Sequence, residues 1–251
     1  MTLLQSAILG AIQGITEWLP VSSSGHLAII ENWFGLNPDV SFNVFLHFAT
    51  LLVIFIVFWK DIVKVIKAFF TFDFKSEYGK LSLFIIIGSI ITAAIGFTFR
   101  DLFASFFSNL TVVGIALLVT GTLLFFSERR ESNKKLSYWD SIWIGLMQGL
   151  AIIPGISRSG ATISMGLLKG VDKVKVFKFS FLLVIPAILG ATLLESSNVV
   201  FNLDLLIGFI FSFVFGYISL KLLMKLVINK KFHYFAWYCW GLGLLTIILS
   251  L

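Results

Sequence analysis

Two short polar segments interrupt an otherwise apolar chain, and the first holds residue types used in acid–base chemistry. Gln13 and Glu17 are four residues apart, so they share one face of a helix. Ser22 and Ser23 precede His26 by four and three residues, which also places them on a shared helical face. An amide, a carboxylate, hydroxyls and an imidazole would therefore converge. This set predicts acid–base or nucleophilic phosphoryl chemistry, with serine, histidine and water all open as the attacking group.

The second polar segment reads Pro-Gly-Ile-Ser-Arg-Ser-Gly over residues 154–160. A helix that begins there exposes unpaired N–H groups and the positive end of its dipole, and phosphate is a common occupant of such a site. Glycine permits close backbone approach, serine hydroxyls donate hydrogen bonds, and the guanidinium fork of Arg158 matches phosphate oxygens. The segment therefore predicts a phosphate site. Its expected donors are Gly155, Ser157, Arg158, Ser159 and Gly160, together with Ser22 and Ser24 of the first segment.

Charged side chains are rare at membrane depth in this sequence. Arg158 is the one basic residue, and Glu17 the one carboxylate, that the sequence places deep in an apolar stretch. An intramembrane charge is a functional candidate by default, and the alternative is a purely structural ion pair between the two. His26 is assigned to function because it follows the serine-rich turn and shares its segment with Glu17. His47 and His233 are predicted to be satisfied core residues.

A metal ion is the expected cofactor. Glu17 and Gln13 supply one carboxylate and one amide oxygen. Oxygen ligands of this kind, completed by substrate phosphates and water, suit Mg²⁺ or Ca²⁺. The Cys/His spacing of a zinc site is missing from the sequence.

The composition identifies the class of protein that must position these groups. Of the 251 residues, 58% are hydrophobic and only 13% are charged. Soluble domains average roughly 45–50% apolar and about 25% charged, so a soluble single-core enzyme is excluded. One cysteine and four prolines also exclude disulfide-stapled and collagen-like chains. The net charge of +6 is better explained by membrane orientation than by nucleic acid, and no nucleic-acid partner is expected.

Six apolar runs are long enough to cross a membrane as helices. These predicted spans are 43–59, 81–99, 109–127, 177–195, 204–226 and 235–251. Two further apolar stretches, 1–36 and 137–168, each contain one of the polar segments near the middle. Irregular backbone at membrane depth occurs only where it is buried or lines a cavity. The predicted fold is therefore an all-α polytopic membrane protein with six transmembrane helices and two broken re-entrant hairpins.

The basic residues predict the orientation. Four segments hold seventeen of the nineteen lysines and arginines, and the other two are Arg100 and Arg158. The segments are 60–80, 128–136, 169–178 and 221–231. Because basic loops stay in the cytoplasm, both termini should lie outside, and the two hairpins should enter from opposite faces. We expect a multi-pass protein of the plasma (inner) membrane with a site open to the external or periplasmic side.

The two hairpins also resemble each other in sequence. Residues 10–14 match residues 145–149 at an offset of 135, and the same offset relates the Ser-x-Ser-Gly at 22–25 to that at 157–160. A single domain, 1–251, is therefore predicted to contain two repeats, 1–127 and 137–251, each with one hairpin and three spans. An odd number of crossings inverts the second copy, and such proteins bind ligand near the midplane. Chance similarity between apolar sequences is the alternative.

The two polar segments together resemble the signatures of the undecaprenyl-diphosphate phosphatase family, also called bacitracin resistance proteins. The first signature is similar to Gln13-x-x-x-Glu17 followed by Leu-Pro-Val-Ser-Ser-Ser-Gly-His over 19–26, and the second to residues 154–162. The resemblance covers essentially the whole chain. It implies hydrolysis of undecaprenyl diphosphate to the monophosphate and inorganic phosphate, which recycles the lipid carrier of cell-wall synthesis and confers bacitracin resistance.

The resemblance also implies roles for individual residues. Glu17, Ser23 and His26 would form the catalytic set, and Arg158 would bind phosphate together with Ser157 and Thr162. Arg158 also joins the catalytic residues, because its charge would stabilise the transition state of phosphoryl transfer. Gln13 stands where many members have Glu, which leaves one carboxylate fewer for a metal ion.

Two other function classes compete with a phosphatase that acts on a polyprenyl diphosphate in the membrane. A secondary transporter or lipid flippase would also use inverted repeats and broken helices, but it would not need a Glu/Ser/His cluster. A non-catalytic membrane scaffold would not retain costly polar groups at depth. The expected partners are the lipid diphosphate, membrane lipid and, in a homodimer, a second copy of the chain.

Overall fold

A computed structural model describes residues 1–36, 40–129, 133–195 and 201–250. The described parts of the chain are helices joined by short turns. The helices are α1 Leu3–Trp18, α2 Ser23–Trp33, α3 Val40–Val57, α4 Trp59–Phe70, α5 Glu77–Thr98, α6 Arg100–Phe106, α7 Leu110–Ser127, α8 Tyr138–Leu150, α9 Arg158–Leu168, α10 Lys173–Glu195, α11 Leu203–Ile228 and α12 Phe235–Leu249.

Five of these helices are long and apolar enough to cross a membrane, and the bent pair α3 and α4 raises the number to six if it forms one span. The five are α5, α7, α10, α11 and α12, the last together with the helical turn that precedes it. The all-helical, polytopic membrane class predicted from the sequence is confirmed at this level. The observed helices begin and end within a few residues of the predicted spans.

Both predicted hairpins are pairs of helices interrupted by an irregular turn. In the first, α1 ends at Trp18 and α2 begins at Ser23. Leu19 is extended because the ring of Pro20 disfavours a helical residue before it, and Ser22 takes a left-handed φ of 67°. In the second hairpin the turn lies between α8 and α9 and contains Gly155, whose φ of 100° is unfavourable for residues with a side chain.

The basic segment 60–80, which is predicted to lie on the cytoplasmic side, contains the helix α4. This helix is bent by 83° from α3. Apolar residues recur at helical spacing between its lysines, so this helix is amphipathic. The outer turn that contains Arg100 is likewise a short helix, α6.

The core lies where the hairpins meet the spans. Trp18, at the end of α1, is fully buried against Phe181 of α10, with ring centroids 5.3 Å apart. The same cluster contains apolar residues of α3, α5 and α11. Helix α1 packs along α11, α8 along α5, α7 along α12 and α3 along α10. These contacts bring the two irregular turns together inside the molecule.

Candidate active site

Glu17 is the centre of the polar cluster in the first hairpin. Its side chain is 5% exposed, and donors from four helices surround its carboxylate. Arg158 Nη2 lies 2.7 Å from Oε1, while Ser23 Oγ donates to Oε2 over 2.7 Å. Gln13 Nε2 donates to Oε2 over 3.0 Å, as the spacing of one helical turn predicts. His47 Nδ1 lies 3.0 Å from the same oxygen.

His47 is thus a site residue that the sequence does not predict. Its assignment to the core is wrong, because its ring contacts both Glu17 and the amide of Gln13, the latter at 2.7 Å. The contact joins α1 to α3, and no spacing within either helix reveals it. A usable signal was the polar row Asn43, His47 and Thr50, which follows one face of a predicted span. His233, by contrast, pairs with Glu128, its Nδ1 2.5 Å from Oε2.

A second buried carboxylate also went unpredicted. Glu31 of α2 is 3% exposed, and Asn43 Nδ2 donates to its Oε1 over 2.8 Å. Glu17 is therefore not the only carboxylate buried among apolar segments.

Arg158 is the first residue of α9 and crosses from the second hairpin to the first. Its guanidinium lies over the Trp18 ring, 5.2 Å from the centroid, and over Phe181 at 5.8 Å. Nη2 is bound to Glu17, whereas the buried Nη1 has no hydrogen-bond partner in the described part of the chain. A buried donor without an acceptor costs free energy, so this nitrogen marks a place for an anionic group.

The two turns are in direct contact, and each serine caps its own helix. Ser22 Oγ accepts from Gly25 N over 3.2 Å and from Gly155 N of the other turn over 3.1 Å. Ser157 Oγ accepts from Gly160 N over 3.1 Å. Ser24 and Ser159 extend the pattern, with hydroxyls 3.3 Å from those of Ser22 and Ser157 respectively. The starts of α2 and α9 thus lie side by side, as an anion site requires.

Gly155 is required by its surroundings as well as by its backbone angle. A Cβ there would lie 2.4 Å from the carbonyl oxygen of Val113. Thr120 Oγ1 accepts from Ser157 N over 3.0 Å and donates to Gly155 O over 2.9 Å, which fixes the turn to α7. Another helix therefore sets the shape of the second turn.

Two predicted site residues lie at the margin of the cluster. His26 Nδ1 is 2.8 Å from Ser22 O, and its Nε2 is 2.7 Å from the hydroxyl of Tyr238, whose ring stacks on the imidazole. A carbonyl only accepts, so Nδ1 carries the proton and Nε2 accepts from the tyrosine. Thr162 Oγ1 is fully buried one turn further on, 2.6 Å from Ser180 Oγ and 2.8 Å from the Arg158 carbonyl.

The family model for the bacitracin resistance protein BacA matches residues 6–245 of this chain. The chain belongs to the BacA family. Among curated BacA relatives, the undecaprenyl-diphosphatase of Methanosphaera stadtmanae is 41% identical over all of this chain and 99% of its own length. The undecaprenyl-diphosphatase of Thermosipho africanus is 45% identical, over 92% of this chain and 94% of its own. That of Halothermothrix orenii is 41% identical over all of this chain and 99% of its own.

Proposed function

We propose that this BacA-family chain is an integral-membrane phosphatase that hydrolyses undecaprenyl diphosphate to undecaprenyl phosphate and inorganic phosphate, with bacitracin resistance as the consequence for the cell. The free Nη1 of Arg158, buried beside two helix starts and a carboxylate, is the observation on which the proposal rests. The full-length relatives named undecaprenyl-diphosphatase supply the substrate. Recycling of a polyprenyl carrier for cell-wall synthesis follows from that reaction.

In the proposed mechanism, the terminal phosphate binds Arg158 Nη1 and the first N–H groups of α2 and α9, which have no partner within their own helices. Ser22, Ser24, Ser157 and Ser159 add hydroxyls to the site, and Gly155 and Gly160 allow close approach of the backbone. Thr162 supports the site indirectly, through its hydrogen bond to the Arg158 carbonyl. These groups offset the charge that develops on the phosphoryl oxygens.

Ser23 is the proposed nucleophile, and Glu17 is its base. Ser23 Oγ already donates to Glu17 Oε2 over 2.7 Å, within the range for proton transfer. The oxygen attacks the terminal phosphorus as its proton passes to Glu17, and the bond to the bridging oxygen breaks to release undecaprenyl phosphate. Water then attacks the phosphoserine, and its proton passes to His26 Nε2, which gives up the hydrogen bond that it accepts from Tyr238. The bond between phosphorus and Ser23 Oγ breaks as Glu17 returns the proton to that oxygen, and inorganic phosphate is released.

The described side chains could hold a divalent cation only if the substrate supplied further oxygen ligands. No cluster of three His, Cys, Asp or Glu side chains occurs among the described residues. Glu17 and the unpartnered Gln13 Oε1 are the oxygen atoms that would hold Mg²⁺ or Ca²⁺, with phosphates and water as the other ligands. When bound, the ion would offset negative charge on the diphosphate.

We further propose that the helices form six spans and two re-entrant hairpins, arranged as an inverted repeat. Matched contacts support this arrangement. Gly10 of α1 meets Gly208 of α11, and the equivalent Gly145 of α8 meets Gly88 of α5. Helices α3 and α10 pair with each other, and so do α7 and α12, as equivalent elements around a two-fold axis would.

The proposed location is the plasma membrane, with the site open to the external or periplasmic side. The distribution of seventeen basic residues over four segments supports this orientation. A homodimer stays a prediction. The cluster of Gln13, Glu17, His47 and Arg158 comes from one chain, so a second copy is not needed to complete it.

Phosphate release by the purified protein from undecaprenyl diphosphate, with and without a chelator, tests the proposed reaction. Arg158→Lys keeps the charge but loses the second nitrogen of the fork, so turnover should fall at least about tenfold. Arg129→Lys, on a residue that stacks on Phe125 and Phe126, is the matched control and should keep the parent rate. Full activity of Arg158→Lys would mean that Arg158 serves only in a structural ion pair with Glu17. Lipid transport without phosphate release would favour a flippase.

A further inference from the structure

Helix α4 has one face that packs against the protein and two that no described part of the chain covers. Ile62 is buried in the main core, and Val65 packs against it. Asp61 accepts hydrogen bonds from Tyr78 of α5 over 2.9 Å and from Lys178 of α10 over 2.7 Å. These contacts fix the rotation of α4 about its axis.

The first uncovered face is apolar. Trp59, Val63, Ile66 and Phe70 are 60%, 41%, 51% and 73% exposed. At 3.6 residues per turn they lie within an arc of about 60°. Large side chains so exposed on one helical stripe need an apolar environment that the described part of the chain does not provide.

The second uncovered face is basic and adjoins the first. Lys60, Lys64 and Lys67 occupy a neighbouring arc of about 60°. Lys64 lies over the ring of Tyr78, 5.2 Å from its centroid, and none of the three lysines pairs with a carboxylate within the described ranges. Asp61, the carboxylate of this helix, is already bound to Lys178 on the inner face.

With α3 as one of the six proposed spans, the direction of α4 places both faces at a membrane surface. The 17 residues Ser41–Val57 of α3 extend about 26 Å at 1.5 Å per residue, close to the hydrocarbon thickness of a bilayer. The chain then turns by 83° into α4. A helix nearly perpendicular to a span, at the end of that span, lies along the interface.

We propose that α4 is a docking helix for anionic phospholipid. Its apolar arc enters the acyl-chain boundary, and its three lysines bind the phosphates of anionic headgroups such as phosphatidylglycerol. Adjacent apolar and basic arcs are the pattern by which helices bind anionic membrane surfaces. This binding is a separate property from the proposed phosphatase reaction, because α4 contributes no residue to the cluster around Glu17.

Lipid quenching of a dye on α4 tests the proposal. Cys239, the one native cysteine, is fully buried, so Ile66→Cys can be labelled selectively, with the unsubstituted protein as the labelling blank. The protein is placed in phosphatidylcholine vesicles that contain equal fractions of brominated phosphatidylglycerol or brominated phosphatidylcholine. We expect the anionic lipid to quench at least about twofold more, and added salt to reduce this preference.

A pair of triple variants isolates the role of the lysines. Lys60→Gln, Lys64→Gln and Lys67→Gln together should lower the quenching ratio to about one, because they remove the basic arc and keep the apolar one. The matched control, Lys221→Gln, Lys225→Gln and Lys231→Gln, removes the same charge from another basic segment and should retain the preference. Helical circular dichroism in detergent verifies that both variants fold.

Four results would overturn the proposal. Equal quenching by both lipids in the parent would show apolar contact without headgroup selectivity. Quenching by neither lipid would place α4 away from the bilayer. If the same sample were dimeric, the apolar face of α4 would then be assigned to contact with a second copy of the chain. An equal loss of preference in the control triple would attribute the effect to net charge. If the α4 triple does not fold, a salt-independent preference in the parent contradicts the proposal by itself.

Discussion

At the scale of the residue, the Glu17 carboxylate contributes to the folded structure and is also the proposed base of the reaction. Arg158 compensates its charge, and the neighbouring hydroxyl and amide satisfy its remaining acceptor sites. A buried ion pair is costly to break on one side only, since the other charge is left without compensation. In the proposed mechanism, an incoming phosphate offers Arg158 a second anion and leaves Glu17 freer to accept a proton from Ser23. The contacts that stabilise the folded state would then also prepare Glu17 for its proposed role as the base.

Glu17→Gln should lower the rate of hydrolysis by a factor of about 10² to 10⁴, because an amide cannot accept the serine proton. Gln13→Ala should remain partly active, since it loses only an orienting hydrogen bond, and Gln13→Glu should be tolerated at saturating Mg²⁺ or Ca²⁺. The measurement is phosphate release by purified variants across a metal titration. A Glu17→Gln rate within about threefold of the parent would contradict a mechanism based on this carboxylate.

His47→Ala should lower turnover by about tenfold or more, because it removes a ring that orients both Glu17 and Gln13. His233→Ala is the matched control, since His233 pairs with Glu128 away from this cluster. Both variants are compared by kcat for phosphate release and by helical content. Equal losses in the two variants would mean that His47 acts only through folding.

At the scale of the element, sequence reasoning succeeds where the signal is local. Apolar length predicts the spans, and the prolines and glycines predict both broken hairpins, because each depends on consecutive residues. His47 and Glu31 could not be assigned in this way, since their partners lie on other helices. The lysines of α4 predict only the side of the membrane, and its shape as an amphipathic helix bent away from α3 is seen in the structure.

Close helix contact at glycine is a second element-scale feature, and it predicts which substitutions disrupt packing. A Cβ on Gly10 would lie 2.2 Å from Gly208 O, and one on Gly145 would lie 2.7 Å from Gly88 Cα. Both contacts are with backbone, which cannot rotate away. Gly10→Ala and Gly145→Ala should therefore each destabilise the protein by about 1–3 kcal/mol through overpacking.

Gly241 of α12 provides the control for this prediction, because no atom lies within 4 Å of the Cβ position there. Gly241→Ala should be neutral or stabilising by up to about 1 kcal/mol, owing to the higher helix propensity of alanine. Unfolding of the three variants in mixed detergent micelles measures the difference. If Gly10→Ala unfolds at the same denaturing-detergent fraction as Gly241→Ala, α1 and α11 are not in close contact.

At the scale of the whole molecule, two hairpins with similar turns carry different charged residues. The Ser-x-Ser-Gly turns of both hairpins cap their helices alike, with Ser22 to Gly25 at 3.2 Å and Ser157 to Gly160 at 3.1 Å. Glu17 and Arg158 have no equivalents at the offset of 135, where Ile152 and Ser23 stand. The two hairpins thus contribute two helix starts to the proposed anion site, and each adds one different charged residue.

The proposed inverted repeat makes a prediction about sidedness that no single residue can make. Each proposed half has three spans, so the second half is inverted and the two hairpins enter from opposite faces. With the basic segments in the cytoplasm, a reporter fused after residue 251 should behave as external, and reporters within 60–80 or 128–136 as cytoplasmic. Alkaline phosphatase, active only outside, and green fluorescent protein, fluorescent only inside, give opposite readouts at each position. A cytoplasmic carboxyl terminus would contradict the six-span count, the inverted repeat and the outward-facing site together, while the contacts around Glu17 would stand.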